Sequence, residues 1–218
     1  MLLWPELVNA TLYPSPLTVL EAARAQLAAT GVATFPGFLT SKALAMALEE
    51  VARSERDAFA TDDRHNAYQL ESDALYPPRH VRNRRARTRV ASLAYDLLDP
   101  SGAIRSLYAH LPPFVGGVTN RTLFPLADPL GAASINIFRD GWAHAWHYDE
   151  SEFTTTLSLQ KSSRGGDFQF TKPLRSTDWA FQSTAAVVRA FADDDDDGLD
   201  APEECTATPE VRVASFEP

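Results

Sequence analysis

The segment Asp140-Gly141-Trp142-Ala143-His144-Ala145-Trp146-His147-Tyr148-Asp149-Glu150 contains a His-x-Asp pair and lies between runs of strand-forming residues. Ala133-Ser134-Ile135-Asn136-Ile137-Phe138 precedes it, and Phe153-Thr154-Thr155-Thr156-Leu157-Ser158-Leu159 and Asp167-Phe168-Gln169-Phe170 follow. These runs are short, β-branched or aromatic, and separated by glycine-containing turns, which predicts neighbouring antiparallel strands. On extended backbone, residues two apart point to the same side, so His147 and Asp149 offer a nitrogen and an oxygen to one ion. Together with a distant histidine, such a pair makes the two-histidine, one-carboxylate facial triad. Three positions then stay open for a chelating cosubstrate and oxygen, an arrangement suited to non-haem Fe(II). A bare His-x-Asp occurs by chance in many chains, so its surroundings carry the weight.

Upstream, the apolar spacing changes to that of helices. Thr18 opens a capping box with Glu21, and Leu20, Ala23 and Leu27 form a stripe that stops before Gly31. Val32-Ala33-Thr34-Phe35 reads as a short strand leading to Pro36-Gly37. A second helix starts near Thr40 or Ser41 and runs through Leu44, Ala47, Leu48 and Val51. Residues 55–90 read as polar and irregular. A third helix runs from Ser101 through Ile104, Leu107, Tyr108 and Leu111, and Pro112-Pro113 is expected to end or sharply kink it. Helices first and strands afterwards predict an α+β fold, one domain overall. Residues 1–120 form a helical support region and residues 121–218 the strand-rich core.

The net charge of −9 is local: Asp193 to Asp197, Asp200, Glu203 and Glu204 supply eight acids without a base, leaving −1 for the remainder. That balance favours neither nucleic acid nor an anionic membrane as partner. Asp193, Asp195, Asp197, Gly198 and Glu204 match the spacing of an EF-hand loop. However, a run of five aspartates meets that pattern automatically, Asp200 stands where an apolar residue packs, and Pro202 disfavours the exiting helix; a solvated loop is expected. The N-terminus lacks the basic and apolar regions of a secretory signal, and no stretch approaches the roughly 20 apolar residues that span a bilayer. A cytoplasmic location is expected, with the lone Cys205 in reduced form.

Asn136-Ile137-Phe138-Arg139-Asp140-Gly141, Trp146-His147-Tyr148-Asp149, Glu152-Phe153-Thr154, Leu157-Ser158-Leu159-Gln160 and Gly165-Gly166-Asp167-Phe168 together resemble the core of the Fe(II)- and 2-oxoglutarate-dependent oxygenases. Within them, the likeness is to the subgroup with bacterial free-amino-acid halogenases and hydroxylases. It reaches upstream through Tyr76-Pro77-Pro78-Arg79-His80, Tyr95-Asp96, Leu107-Tyr108 and Leu123 to Leu130, and covers most of residues 20–175. The resemblance implies a double-stranded β-helix, or jelly roll, whose second strand delivers the His-x-Asp. It also implies an iron site in which 2-oxoglutarate loses carbon dioxide to become succinate while a C–H bond of a small molecule, such as a free amino acid, is hydroxylated by molecular oxygen. The family's halogenases replace the acid by glycine or alanine so that chloride can bind; Asp149 therefore points to hydroxylation.

Two parts of the family pattern have no match. The chain's histidines, His65, His80, His110, His144 and His147, leave none after the His-x-Asp, and the arginine that would pair with 2-oxoglutarate is likewise unmatched. Val211-Arg212-Val213-Ala214-Ser215-Phe216-Glu217-Pro218 resembles the strand and turn that lead into the missing histidine. The expectation is a C-terminally truncated, inactive jelly roll lacking its final strands. His144 stands an odd number of residues from His147 and is expected on the opposite face unless Gly141 bends the backbone. It is either a hydrogen-bonded polar residue or a contact to substrate, as are Trp146 and Glu150 at the mouth of the site. Trp142 and Trp146 wall the pocket or pack in the core. Asn136 either donates to 2-oxoglutarate or is a polar core or turn residue. His80 and His110 read as surface or helix-packing residues. Arg79, Arg82, Arg84, Arg85, Arg87 and Arg89 form a basic run, either a solvated loop paired with the acidic tract or the source of a guanidinium, such as that of Arg79, that binds a carboxylate in the site. No aromatic interleaving accompanies it to suggest nucleic acid. The competing readings are a cupin-like metalloenzyme that does not use 2-oxoglutarate, and a non-catalytic jelly-roll binding protein.

Overall fold

The computed structural model describes residues 1–17, 21–78, 80, 82–149, 151 and 153–170, together with the backbone of 210–215. Thr18 and Leu20 of the expected helix start, Arg79, Glu150, Cys205 and the acidic tract with its EF-hand-like spacing lie outside the described residues.

A short helix α1 (Trp4–Leu7), absent from the sequence reading, has Pro5 in its first turn, and Glu6 accepts the Leu3 N–H at 2.7 Å. Helix α2 (Glu21–Thr30) stops at Gly31, whose φ of +79° permits the left-handed exit. Strand β1 (Val32–Pro36) follows, and α3 (Ser41–Ser54) begins where Thr40 accepts the Ala43 N–H at 3.1 Å. The buried face of α3 is Ala43, Ala47 and Glu50, with Leu44, Leu48 and Val51 only half-buried, so the helix is turned from the expected stripe.

Helix α4 (Ala103–Thr119) also departs from expectation, because it continues through Pro112 and Pro113. Each proline removes an N–H that would serve a carbonyl one turn back, at about 3 kcal/mol. Beyond the pair, Phe114, Val115 and Val118 are all buried, at about 1.5–3 kcal/mol each, which is enough to carry the helix on. It ends at Asn120, in left-handed conformation at φ +56°.

The strands form two antiparallel sheets, so the architecture mixes helix and sheet as α+β predicts. The first sheet has the order β1-β6-β5, with β5 (Phe153–Leu157) and β1 both paired to the middle strand β6 (Glu210–Ser215). The second is β2 (Phe59–His65), β3 (Ala86–Leu93) and β4 (Ile135–Ile137), with β3 in the middle. Three expectations are corrected. The strands on either side of the His-x-Asp are not neighbours, since β4 and β5 belong to different sheets. Residues 55–90, read as irregular, contain β2 and most of β3. Asp167–Phe170 is not a strand. Each sheet draws strands from both sides of residue 120.

The hydrophobic core sits mainly among the N-terminal elements. Trp4, Tyr13, Phe35, Phe38 and Phe114 pack ring against ring at centroid distances of 5.0–6.3 Å. The Trp4 Nε1–H donates to the Tyr13 carbonyl at 2.7 Å, so its polar edge is satisfied inside the cluster. An apolar cavity of about 120 Å³ separates α3 and α4 from Ile135 of β4 and Leu157 of β5.

Candidate metal centre

The link from β4 toward β5 carries the candidate site. Ile137 pairs with Ala91 of β3; the chain then loops out through Arg139 to Trp142, closed by a 2.8 Å hydrogen bond from the Trp142 N–H to the Arg139 carbonyl, with Gly141 at φ +74°. It returns to β3 where Arg89 N–H donates to the Ala143 carbonyl at 2.9 Å and Ala145 N–H donates to the Thr88 hydroxyl at 2.9 Å. Further on, Tyr148 N–H donates to the Ala67 carbonyl at 2.9 Å, and the Gln69 side chain donates to the Tyr148 carbonyl at 3.0 Å. Residues 142–149 are thus tied down at several points without being a ladder strand, contrary to the expected strand delivery of the pair.

His147 and Asp149 nonetheless converge. His147 Nε2 lies 3.0 Å from Asp149 Oδ1, and the two side chains are 28% and 29% exposed, so the pair can be reached from outside but is largely sheltered. On its other edge, His147 Nδ1 is 2.8 Å from the Ala145 carbonyl, an acceptor that fixes a proton on Nδ1 and turns Nε2 toward Asp149. The Asp149 carboxylate raises the His147 pKa, against the opposing effect of burial. His144 stands at the solvent edge but packs against His147 at 4.2 Å between centroids, on the same side and not the opposite one; departure from regular strand geometry removes the parity argument. Its Nδ1 lies 3.2 Å from the same Ala145 carbonyl, and its pKa is lowered, chiefly by desolvation.

His65, at the end of β2, was not weighed for the site on sequence grounds. Its ring lies 6.0 Å from that of His144 and 6.2 Å from that of His147. No spacing signal could have found it, because the β2–β3 pairing brings it in from far upstream. Arg89 is the member of the basic run that reaches the segment, standing 4.9 Å over the Trp142 ring, with Arg139 at 5.8 Å from the same ring. Trp142 and Trp146 are half-buried. The rest of the described run turns to other partners. Arg87 grips Asp62 through two 2.6 Å contacts, Arg85 is 4.0 Å from Glu71, and Arg82 lies 5.1 and 5.2 Å from the Tyr68 and Tyr76 rings. Asn136 is exposed on β4 and accepts the Ser92 hydroxyl at 2.9 Å. His80 stacks on Tyr76, and His110 meets the Leu2 carbonyl at 3.0 Å and the Trp4 ring edge-on, packing roles that the sequence anticipated.

The His147–Asp149 pair fits two adjacent positions of an octahedral ion. Ligands about 2.1 Å from a cation and at right angles stand about 3.0 Å apart, the separation found here. A cation taking Nε2 must displace its proton. Among the described residues, no group of three histidine, cysteine, aspartate or glutamate side chains is placed to hold one ion. No family model matches the chain, and no curated protein matches it either. Among the described residues, no helix is long and apolar enough to cross a membrane.

Proposed function

We propose that this chain carries the core of an Fe(II)- and 2-oxoglutarate-dependent oxygenase of jelly-roll type that hydroxylates a small molecule such as a free amino acid. The observation that carries the reading is the 3.0 Å approach of His147 Nε2 to Asp149 Oδ1, with Nδ1 held by a backbone carbonyl. That geometry suits a hard, divalent ion with nitrogen and oxygen ligands. Bound iron and 2-oxoglutarate would supply oxygen activation driven by decarboxylation to succinate. The chain's own part is to hold the ion through His147 and Asp149 and to present His144 at its rim. Asp149, as a ligand in its own right, leaves no place for a halide and favours hydroxylation.

Anaerobic titration with Fe(II) tests the metal role. The full chain should bind with micromolar affinity, and Asp149→Ala should abolish that binding; equal affinity of both proteins would sink the reading. With a second histidine completing the ligand set, succinate release against a panel of free amino acids and peptides then identifies the substrate class.

A second reading has one observation in its favour. The His147–Asp149 contact is also complete as a hydrogen bond without metal, and ionic when His147 is protonated, which suits a non-catalytic jelly-roll binding protein. Under that reading Asp149→Ala lowers thermal stability and Fe(II) leaves the melting temperature of the unaltered chain unchanged.

A further inference from the structure

The frame that holds the three imidazoles has a threonine at its centre. Thr88, in the middle strand β3, is 3% exposed; its hydroxyl oxygen accepts the Ala145 N–H at 2.9 Å and lies 2.7 Å from His65 Nε2. A hydroxyl carries one proton. The Asn66 carbonyl facing His65 Nδ1 can only accept, so in the neutral ring that nitrogen carries the proton, Nε2 is bare, and the Thr88 hydroxyl proton points to it. His65 Nδ1–H then donates to the Asn66 carbonyl at 3.0 Å, and every group in the chain of bonds is satisfied. Both His65 nitrogens are thereby occupied. Ala145, pinned by its N–H, turns its carbonyl to His147 Nδ1 at 2.8 Å and His144 Nδ1 at 3.2 Å.

We infer that His65 and Thr88 are positioning residues for the His147–Asp149 pair. His65 fixes the direction of the Thr88 hydroxyl, the hydroxyl pins Ala145, and the Ala145 carbonyl decides which nitrogen of His147 faces Asp149. Its use in metal binding rests on the oxygenase reading, but the geometry is a property of the metal-free chain. Removing a group that orients a ligating imidazole costs about 10- to 100-fold in metal affinity.

Long-range ¹H–¹⁵N spectra of the metal-free full chain report the tautomer of each imidazole and decide the matter. Thr88→Val should move both His147 ring nitrogens toward the values of a freely exchanging imidazole, whereas Thr88→Ser, which keeps the hydroxyl, should leave them in place. His65→Leu should reproduce the valine result, and His65→Gln, whose amide oxygen reaches the place of Nε2, should restore the native spectrum. His110, bonded in α4 to the Leu2 carbonyl, is the internal control for folding. If its signal is lost in Thr88→Val, the His65 pair alone decides. Unchanged His147 nitrogens in His65→Leu and in folded Thr88→Val overturn the inference, as do equal shifts in the conservative variants. The oxygenase reading fails separately, through the Asp149→Ala titration. Where that reading holds, Thr88→Val weakens Fe(II) binding at least about 10-fold and Thr88→Ser does not.

Discussion

Glu50 is a carboxylate buried to 2% exposure on α3, and it serves as the cap that α4 lacks. Gly102 stands at the N-cap of α4 with no side chain, and Glu50 accepts the Asp99 N–H at 3.1 Å and the Ile104 N–H at 3.4 Å in its place. Replacing Glu50 with alanine takes the acceptor from those part-buried donors, and a loss of about 1–3 kcal/mol is expected in urea denaturation. Gly102→Ala should also destabilise, by about 1–3 kcal/mol, because a Cβ there would meet the Glu50 carboxylate at 2.4–2.7 Å. Burial raises the Glu50 pKa from its ordinary 4.5, outweighing the two backbone hydrogen bonds that lower it. The folded chain therefore holds this proton more tightly than the unfolded one. The stability it contributes is full below pH 4.5 and declines as pH rises through the folded value. Glu50→Gln removes that slope, so the variant should gain on the parent as pH rises from 4 to 7; parallel stability curves would refute the assignment. At this same scale, His147 and Asp149 were legible because both lie within three residues and share a side. His65 was not, because its approach is made by strand pairing and by the Thr88 hydroxyl, neither of which leaves a spacing in the sequence.

Among the elements, α4 offers the sharpest test. Pro113 is exposed within a continuous helix, so Pro113→Ala restores an N–H without opening a cavity. The helix gains about 3 kcal/mol, less about 1 kcal/mol for the freer unfolded chain, and a net stabilisation of about 2 kcal/mol should appear as a higher melting temperature. No change, or a loss, would mean that the proline pair shapes the helix in a way the core requires. The strands explain why the sequence reading failed between residues 55 and 90. Alternating apolar residues mark half-buried strands, but β2 is an edge strand with Asp62, Asp63 and Arg64 exposed, and its pairing with β3 is reinforced by charge instead. Asp62 binds Arg87 in a two-pronged contact and Arg89 at 3.2 Å, which holds its carboxyl below the ordinary range. The capped start of α3 at Thr40 and the glycine stop of α2 at Gly31 carry local chemical signals, and those boundaries were readable. Which strand neighbours which is not written locally, and β4 and β5 were accordingly placed side by side in error.

At the scale of the whole molecule, elements from early and late in the chain share both sheets. The buried aromatic cluster belongs to residues 4–114, and the first sheet joins β1 near the N-terminus to β6 near the C-terminus. Phe114, fully buried and in contact with Trp4, Tyr13, Phe35 and Phe38, ties α4 to that cluster. Phe114→Ala should cost about 3–5 kcal/mol in denaturant titration. Ending the chain at residue 209 removes β6 and strips β1 and β5 of their shared neighbour. Loss of cooperative melting and aggregation on size-exclusion chromatography are expected, and a monomer that melts as the full chain does would contradict the pairing.

The position of β6 also sets a timetable. Val32 pairs with Ala214, about 180 residues later, so during synthesis at about 5–20 residues per second β1 waits on the order of ten to forty seconds for its partner to be made. Once Phe114 has been made, about 100 residues before Ala214, the nascent chain offers an unpaired strand beside a fully translated aromatic cluster, and a chaperone would find its binding site there.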